Sequence, residues 1–142
     1  MENVLIVQTG DAIDETLFKT AAEHVTGTEK EVLVCVSIDA DRIQNELQRQ
    51  ARPDRTLEEI KRTRQANAAD LADEVFGSNI PYTVREVVGR IPDDILEIAA
   101  ERECDHVFVS GKGRSPAGKA IFGDVAQSVI LEFDGPVTVL TS

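Results

Sequence analysis

A three-layer, doubly wound α/β domain on a parallel sheet is the fold class predicted by this 142-residue sequence, and three observations predict it. Two early runs, Asn3–Gln8 and Glu31–Ser37, are apolar almost throughout, as strands buried on both faces must be. Between them Ile13, Leu17, Ala21 and Val25 recur at helical spacing, so the chain opens with a strand–helix–strand unit that needs a right-handed crossover. The same alternation continues to Leu140 without an internal repeat or a low-complexity stretch.

The first strand centres on Val4-Leu5-Ile6-Val7. Thr9-Gly10-Asp11 turns the chain into the first helix, which Gly27 ends, and Glu31–Ser37 is the second strand. Residues Asp39 to Arg55 are polar and contain Arg52-Pro53-Asp54, which predicts a loop or a frayed helix. From Thr56 onward Leu57, Ile60, Ala68, Leu71, Ala72, Val75 and Phe76 trace the stripe of a second helix, which stops at Gly77-Ser78-Asn79. Pro81 to Val88 alternates enough to be a third strand at a sheet edge, a position that tolerates Pro81, and Gly89 closes it. Pro92-Asp93-Asp94 opens the third helix, with Pro in the first turn and two carboxylates at the positive end of the dipole; Ile95, Ile98 and Ala99 form its inner face. His106–Val109 is a short fourth strand. Val125, Val129, Ile130 and Phe133 outline a last helix, and Gly135-Pro136 precede the final strand, Val137–Leu140. Five strands and four main helices result, in a single domain over residues 1–142.

Composition narrows the function. With 26 acidic residues against 15 basic ones the net charge is −11, which argues against nucleic acid and against docking on an anionic membrane surface. It suits either an ordinary acidic surface or adaptation to high salt, a halophilic setting. No apolar run approaches the roughly 18 residues that span a bilayer, and the N-terminus lacks a signal-peptide pattern, so a cytoplasmic location is expected. Cys35 and Cys104 have neither CxxC spacing nor a nearby His pair and are read as reduced packing residues, with no metal site. Neither His24 nor His106 has a Ser, Cys or Asp partner at diagnostic spacing, and Asp93 and Asp94 read as dipole partners, so no catalytic residue is assigned and the chain is expected not to be an enzyme.

The segment Ser110 to Asp124 leaves a strand, carries four glycines and ends at a helix start. That context suits phosphate, because glycines let backbone N–H groups approach an anion and a helix N-terminus adds unpaired donors. Lys112, Arg114 and Lys119 make it the most basic stretch of an acidic chain. Gly113 to Lys119 reads GxxxxGK, but Ala120 follows, leaving no hydroxyl for magnesium, and too little chain remains for the rest of a P-loop core. The P-loop reading is rejected.

Taken end to end, the chain resembles the universal stress protein family. The resemblance rests on Val4-Leu5-Ile6-Val7, on Val32 to Ser37, on Val88-Gly89-Arg90-Ile91-Pro92 leading into Ile95 and Ala99, and above all on Cys104 to Ser115. That last segment is similar to the family's Asp-strand-GxxGRS motif, with nine residues leading from Gly113 to Gly123 as in its nucleotide loop. The resemblance implies sheet order 3-2-1-4-5, an adenine nucleotide alpha hydrolase-like fold, and a homodimer through the last strand. In ATP-binding members it implies adenosine at the C-terminal ends of the first and fourth strands. By position Val7 and Thr9 would border the adenosine, Val36 would meet the base, and Val109, Ser110, Gly113, Gly123, Asp124 and Val125 would surround ribose and phosphates.

Three residues depart from the ATP-binding pattern. Ser110 stands for the first glycine of GxxG, and Thr9 for the acidic residue after the first strand, unless Asp11 serves from a longer loop. Asp124 stands where ATP-binding members carry Ser or Thr; ionised, it accepts hydrogen bonds and donates none. At ~4 Å and an effective dielectric of about 20, two like charges repel by roughly 4 kcal/mol, about three decades of affinity. Lys112, Arg114, Lys119 or a bound cation would offset part of this, and Asp124 as an N-cap would itself satisfy the amides meant for phosphate. The expectation is a small dimeric stress-response regulatory module with protein partners and no tightly bound cofactor. The alternative is a member that binds ATP or AMP, with Mg, through Ser110 to Val125. Slow ATP hydrolysis has the weakest support, for want of a general base.

Overall fold

The computed structural model describes residues 3–9, 14–49, 56–111, 113–114, 120–121 and 123–140. Its elements are β1 (Asn3–Gln8), α1 (Glu15–Val25), β2 (Glu31–Ile38), α2 (Ala40–Arg49), α3 (Leu57–Phe76), β3 (Tyr82–Val88), α4 (Asp93–Glu101), β4 (Cys104–Ser110), β5 (Gly113–Arg114), β6 (Ala120–Ile121), α5 (Asp124–Glu132) and β7 (Val137–Leu140). Five strands form one sheet in the order β3-β2-β1-β4-β7, every pair parallel, which is the expected 3-2-1-4-5 order with β7 as the fifth strand. No helix among the described residues is long and apolar enough to cross a membrane.

Period-two alternation along the central strands divides the core into two layers. Val4 and Ile6 of β1 and Val32, Val34 and Val36 of β2 pack against Leu17 and Phe18 of α1 and Phe76 of α3. Leu5 and Val7 of β1, Cys35 of β2 and Val107 and Val109 of β4 pack against Ile95 and Ile98 of α4 and Ala126 and Val129 of α5. Burial on both faces is why these strands read as unbroken apolar runs, and the edge strand β3, buried only at Val87, is why Tyr82–Val88 reads as alternating.

The helix starts follow their capping residues. Asp14 caps α1 through a hydrogen bond from the Leu17 amide at 3.1 Å, and Thr56 caps α3 through one from the Glu59 amide at 3.2 Å. Gly77 ends α3 at φ 57°, a left-handed conformation that glycine adopts without steric cost, while its N–H donates to the Asp73 carbonyl.

The expected elements are revised in places. Asp39 to Arg55 is not simply a loop, since Ala40–Arg49 is the helix α2 and the described helices number five rather than four. Asp39 starts it by accepting the Arg42 amide on its carboxylate at 3.2 Å and the Ile43 amide on its carbonyl at 3.0 Å. Ile43 anchors it in the core, and Pro53, the residue that argued against a helix, lies beyond its end and outside the described residues. Ile130, one of the apolar residues that outline the last helix, is 43% exposed, and Ala126 shares the buried face with Val129. The glycine-rich segment contains a two-stranded antiparallel ribbon, β5 with β6, pairing Gly113 with Ile121 and Arg114 with Ala120.

Candidate functional site

The strand β1 has β2 on one side and β4 on the other, so the chain reverses direction across the sheet beside it, and the C-terminal ends of β1 and β4 border the crevice where such sheets hold ligands. Local hydrogen bonds fix this rim. The Ser37 hydroxyl donates to the Gln8 carbonyl at 3.1 Å, and Arg64 Nη1, from α3, donates to the Ser37 carbonyl at 3.3 Å. Ser110 Oγ donates to Asp14 Oδ2 at 2.5 Å while Asp14 Oδ1 holds the Leu17 amide, so one carboxylate ties the start of α1 to the end of β4. The Gly111 amide donates to the Leu140 carbonyl at 2.6 Å, joining the start of the glycine-rich segment to β7.

Above the rim lies a cleft in two parts. The larger, 290 Å³, runs between the end of β2, the helix α2 and the start of α5, where Ser37, Asp39, Arg42, Glu46, Arg64 and Asp124 supply its polar walls. The smaller, 160 Å³, is bounded by Ser110, Gly111, Gly123 and Ala126. Thr9, Arg42, Asp124 and Val125 line both. Charges of both signs therefore face the larger part, with three carboxylates against two guanidinium groups.

The structure brings together Thr9, Ser110, Gly123, Asp124 and Val125 of the residues singled out in the sequence. Val7 and Val109 are buried beneath them on the α4–α5 side of the sheet, and the Val36 side chain is buried on the opposite side, among α1 and α3. At the end of β2 it is Ser37 and Asp39 that reach the cleft. Gly113 begins β5. Asp11, Lys112 and Lys119 lie outside the described residues.

Asp124 does not cap α5. It is the first helical residue and is exposed, while Gly123, with φ −71° and ψ 170°, takes the cap position and brings no side-chain hydrogen bond. The idea that this carboxylate caps the helix from within is therefore corrected, and what remains is a negative charge on the cleft wall.

The sequence does not single out Asp14, Arg42 or Glu46, and it reads the cation-rich stretch Lys61-Arg62-Thr63-Arg64 as a solvated face, which is corrected for Arg64 because it lines the cleft. Asp14 and Asp39 each precede a buried helical residue by three or four positions, which is the N-cap signal that could have found both helix starts. Nothing in the sequence indicates that Arg64, in the second turn of α3, reaches back to Ser37.

The remaining titratable groups lie away from the cleft. Burial pushes the Cys35 thiol up to about 12 and Cys104 to about 11, and both are free and buried, so neither is a nucleophile at neutral pH. His106 accepts or donates at 2.7 Å with the Thr138 hydroxyl of β7, stacks on Phe108 at 4.4 Å and lies 4.5 Å from the His24 ring. Burial, then the charge of His24, lowers its affinity for a proton, against the pull of Asp105. No group of three or more His, Cys, Asp or Glu side chains among the described residues is placed to hold a metal ion.

Solved structures share this architecture. A universal stress protein from Archaeoglobus fulgidus is 27% identical and superposes with a TM-score of 0.70, covering 98% of this chain and 97% of its own. A universal stress protein from the same organism in complex with dAMP is 21% identical, TM-score 0.64, over 98% and 96%. An Arabidopsis thaliana family protein with AMP bound is 10% identical, TM-score 0.61, over 99% and 91%. No curated protein matches the sequence. The model of the universal stress protein family matches residues 1–141, and with the sheet order and the strand-end cleft in agreement, the chain belongs to the universal stress protein family.

Proposed function

We propose that this protein is a regulatory module of the stress response that keeps the family's strand-end cleft but does not hold ATP tightly. The observation that carries the reading is Asp124, an exposed carboxylate that lines both parts of the cleft beside the first turn of α5. A triphosphate laid along that turn meets a like charge where a hydroxyl would donate. Because Asp124 is exposed, the repulsion falls between the roughly 4 kcal/mol of an effective dielectric near 20 and the ~1 kcal/mol of bulk water at ~4 Å. A middle value of about 2 kcal/mol corresponds to roughly 30-fold in affinity.

The role is binding and contact rather than catalysis. Both histidines sit on the last turn of α1 and the early part of β4, away from the end of the sheet that holds the cleft, and of the cleft's hydroxyls Ser110 is committed to a carboxylate and Ser37 to the Gln8 carbonyl. Self-association through β7 fits the same picture: β7 pairs only with β4 among the described residues, so its outer edge offers unpaired backbone groups, and α5 beside it exposes Ile130 and Leu131.

Relatives of the same fold in complex with dAMP and with AMP favour a second reading, in which the cleft takes an adenine nucleotide. Calorimetric titration of ATP, with and without Mg²⁺, into wild type and Asp124→Ser separates the two. The first reading expects weak binding by wild type and a gain of roughly 30-fold in the variant. Tight ATP binding by wild type, or no gain in the variant, removes it.

A further inference from the structure

We propose that a second cavity, at the opposite end of the sheet from the cleft, binds an amphipathic amine: an apolar body carrying one ammonium group. The cavity measures 450 Å³, inside the roughly 300–1,000 Å³ typical of small-molecule sites. It lies where α1 and α3 both end and where β2 and β3 both begin, bounded by Val25 and Phe76 on the helix side and by Lys30 and Pro81 just before the strands. Its floor is apolar, since Val25 and Phe76 belong to the buried core and Ala22, Val75 and Ile80 pack against that core.

The polar wall mostly accepts hydrogen bonds. The Thr26 hydroxyl donates to the Ala22 carbonyl at 2.7 Å and the Thr28 hydroxyl to the Val25 carbonyl at 2.6 Å, so each has spent its one proton and offers the cavity only lone pairs. Glu23, in the last turn of α1, lines the cavity, is exposed and makes no ion pair among the described residues. Asn79 carries both donor and acceptor and suits either kind of ligand. Lys30 is the one cation lining the cavity, and its Nζ lies 2.8 Å from Asp105 Oδ2, in an ion pair that offsets its charge. Both helices also turn the negative end of their dipoles this way. The last turn of α3 has no basic residue and carries Asp73 and Glu74 instead. The one basic residue in the last turn of α1, His24, packs its ring 4.5 Å from His106 and 5.5 Å from Phe108, toward β4. The helix ends thus leave a negative potential beside an apolar floor. A ligand with N–H donors and a positive charge is favoured there, and a carboxylate or phosphate is repelled.

The test titrates three indoles that share one apolar body, tryptamine (cationic), tryptophol (neutral) and indole-3-propionate (anionic), into wild type and Glu23→Gln at low ionic strength, following backbone amide shifts by NMR. Wild type is expected to show saturable shifts at Thr26–Lys30 and at Asn79 and Ile80, with tryptamine bound about 10-fold more tightly than tryptophol and indole-3-propionate weakest, the scale of an exposed ion pair added to a helix-end effect. Glu23→Gln should lower the tryptamine preference to about 3-fold, the share left to the helix ends. A melting curve for Glu23→Gln that superposes on wild type shows the variant to be folded. The proposal is overturned if tryptamine gives no saturable shifts at millimolar concentration, if the shifts centre on Thr9, Ser110 and Asp124 in the cleft, if indole-3-propionate binds as well as tryptamine, or if the preference is the same in Glu23→Gln. The site is judged apart from the cleft, so the fate of the ATP reading does not bear on it.

Discussion

The Asp14 carboxylate holds the start of α1 and the end of β4 at once, and its removal should cost more than the loss of an ordinary helix cap. Two bonds are at stake: from the Leu17 amide at 3.1 Å and from the Ser110 hydroxyl at 2.5 Å. Truncating an N-cap to alanine costs ~1 kcal/mol, and a hydrogen bond to a charged group contributes about 1.5 kcal/mol or more. Asp14→Ala should therefore destabilise by about 2.5 kcal/mol. With an unfolding entropy of about 2.1 cal/mol/K per residue over 142 residues, that lowers Tm by about 8 °C. Asp14→Asn makes the decisive comparison, because Asn caps as well as Asp with its one oxygen and turns an uncharged NH2 toward Ser110, whose hydroxyl then accepts instead of donating; its loss should be about 1 kcal/mol, or ~3 °C. Thermal melts by circular dichroism on both variants, repeated in a Ser110→Ala background, give the coupling directly. If Asp14→Ala and Asp14→Asn melt together, or if the effect of Asp14→Ala is unchanged in the Ser110→Ala background, the two-sided role of this carboxylate is wrong.

Two further predictions concern the other end of the sheet and its edge. The folded state lowers the proton affinity of His106 below its ordinary 6.5, so between the two values the unfolded chain binds more protons; stability is full above pH 6.5 and declines as pH falls through the folded value. Urea midpoints should fall between pH 7 and pH 5 by less in His106→Gln than in wild type, and equal falls would contradict the assignment. For self-association through β7, sedimentation should show a species of about twice 15.5 kDa, and a single species at the monomer mass would refute it.

Much of this architecture is legible in the amino-acid order because local chemistry and global packing ask for the same residues. A strand covered on both faces can only be an apolar run, as Val32–Val36 is, and a helix on its surface can only be a stripe, as Ile60 to Phe76 is. Those two patterns, with the Gly and Pro punctuation between them, fix the fold class, while the sheet order follows only from the family likeness that the Cys104 to Ser115 segment carries. The helix α2 was obscured by Pro53, since a single buried residue, Ile43, is too faint a stripe to outweigh a helix breaker a few positions on.

The cleft was a different matter. Thr9, Ser110 and Asp124 could be placed from the sequence because they end strands or begin a helix, positions that local pattern reveals. Which partners they meet depends on distances across the sheet: Ser110 finds Asp14 across 96 positions, and Arg64 finds Ser37 across 27. The sequence by itself determined the layers and the acidic residue at the head of the last helix, and its family likeness implied the strand order. Only the tertiary structure decided that Gly123 rather than Asp124 takes the cap, and that Arg42 of α2 lines the same cleft as that carboxylate. The physical reason is that side-chain pairing between distant segments leaves no periodic trace in a single chain, whereas burial of a strand or a helix face does.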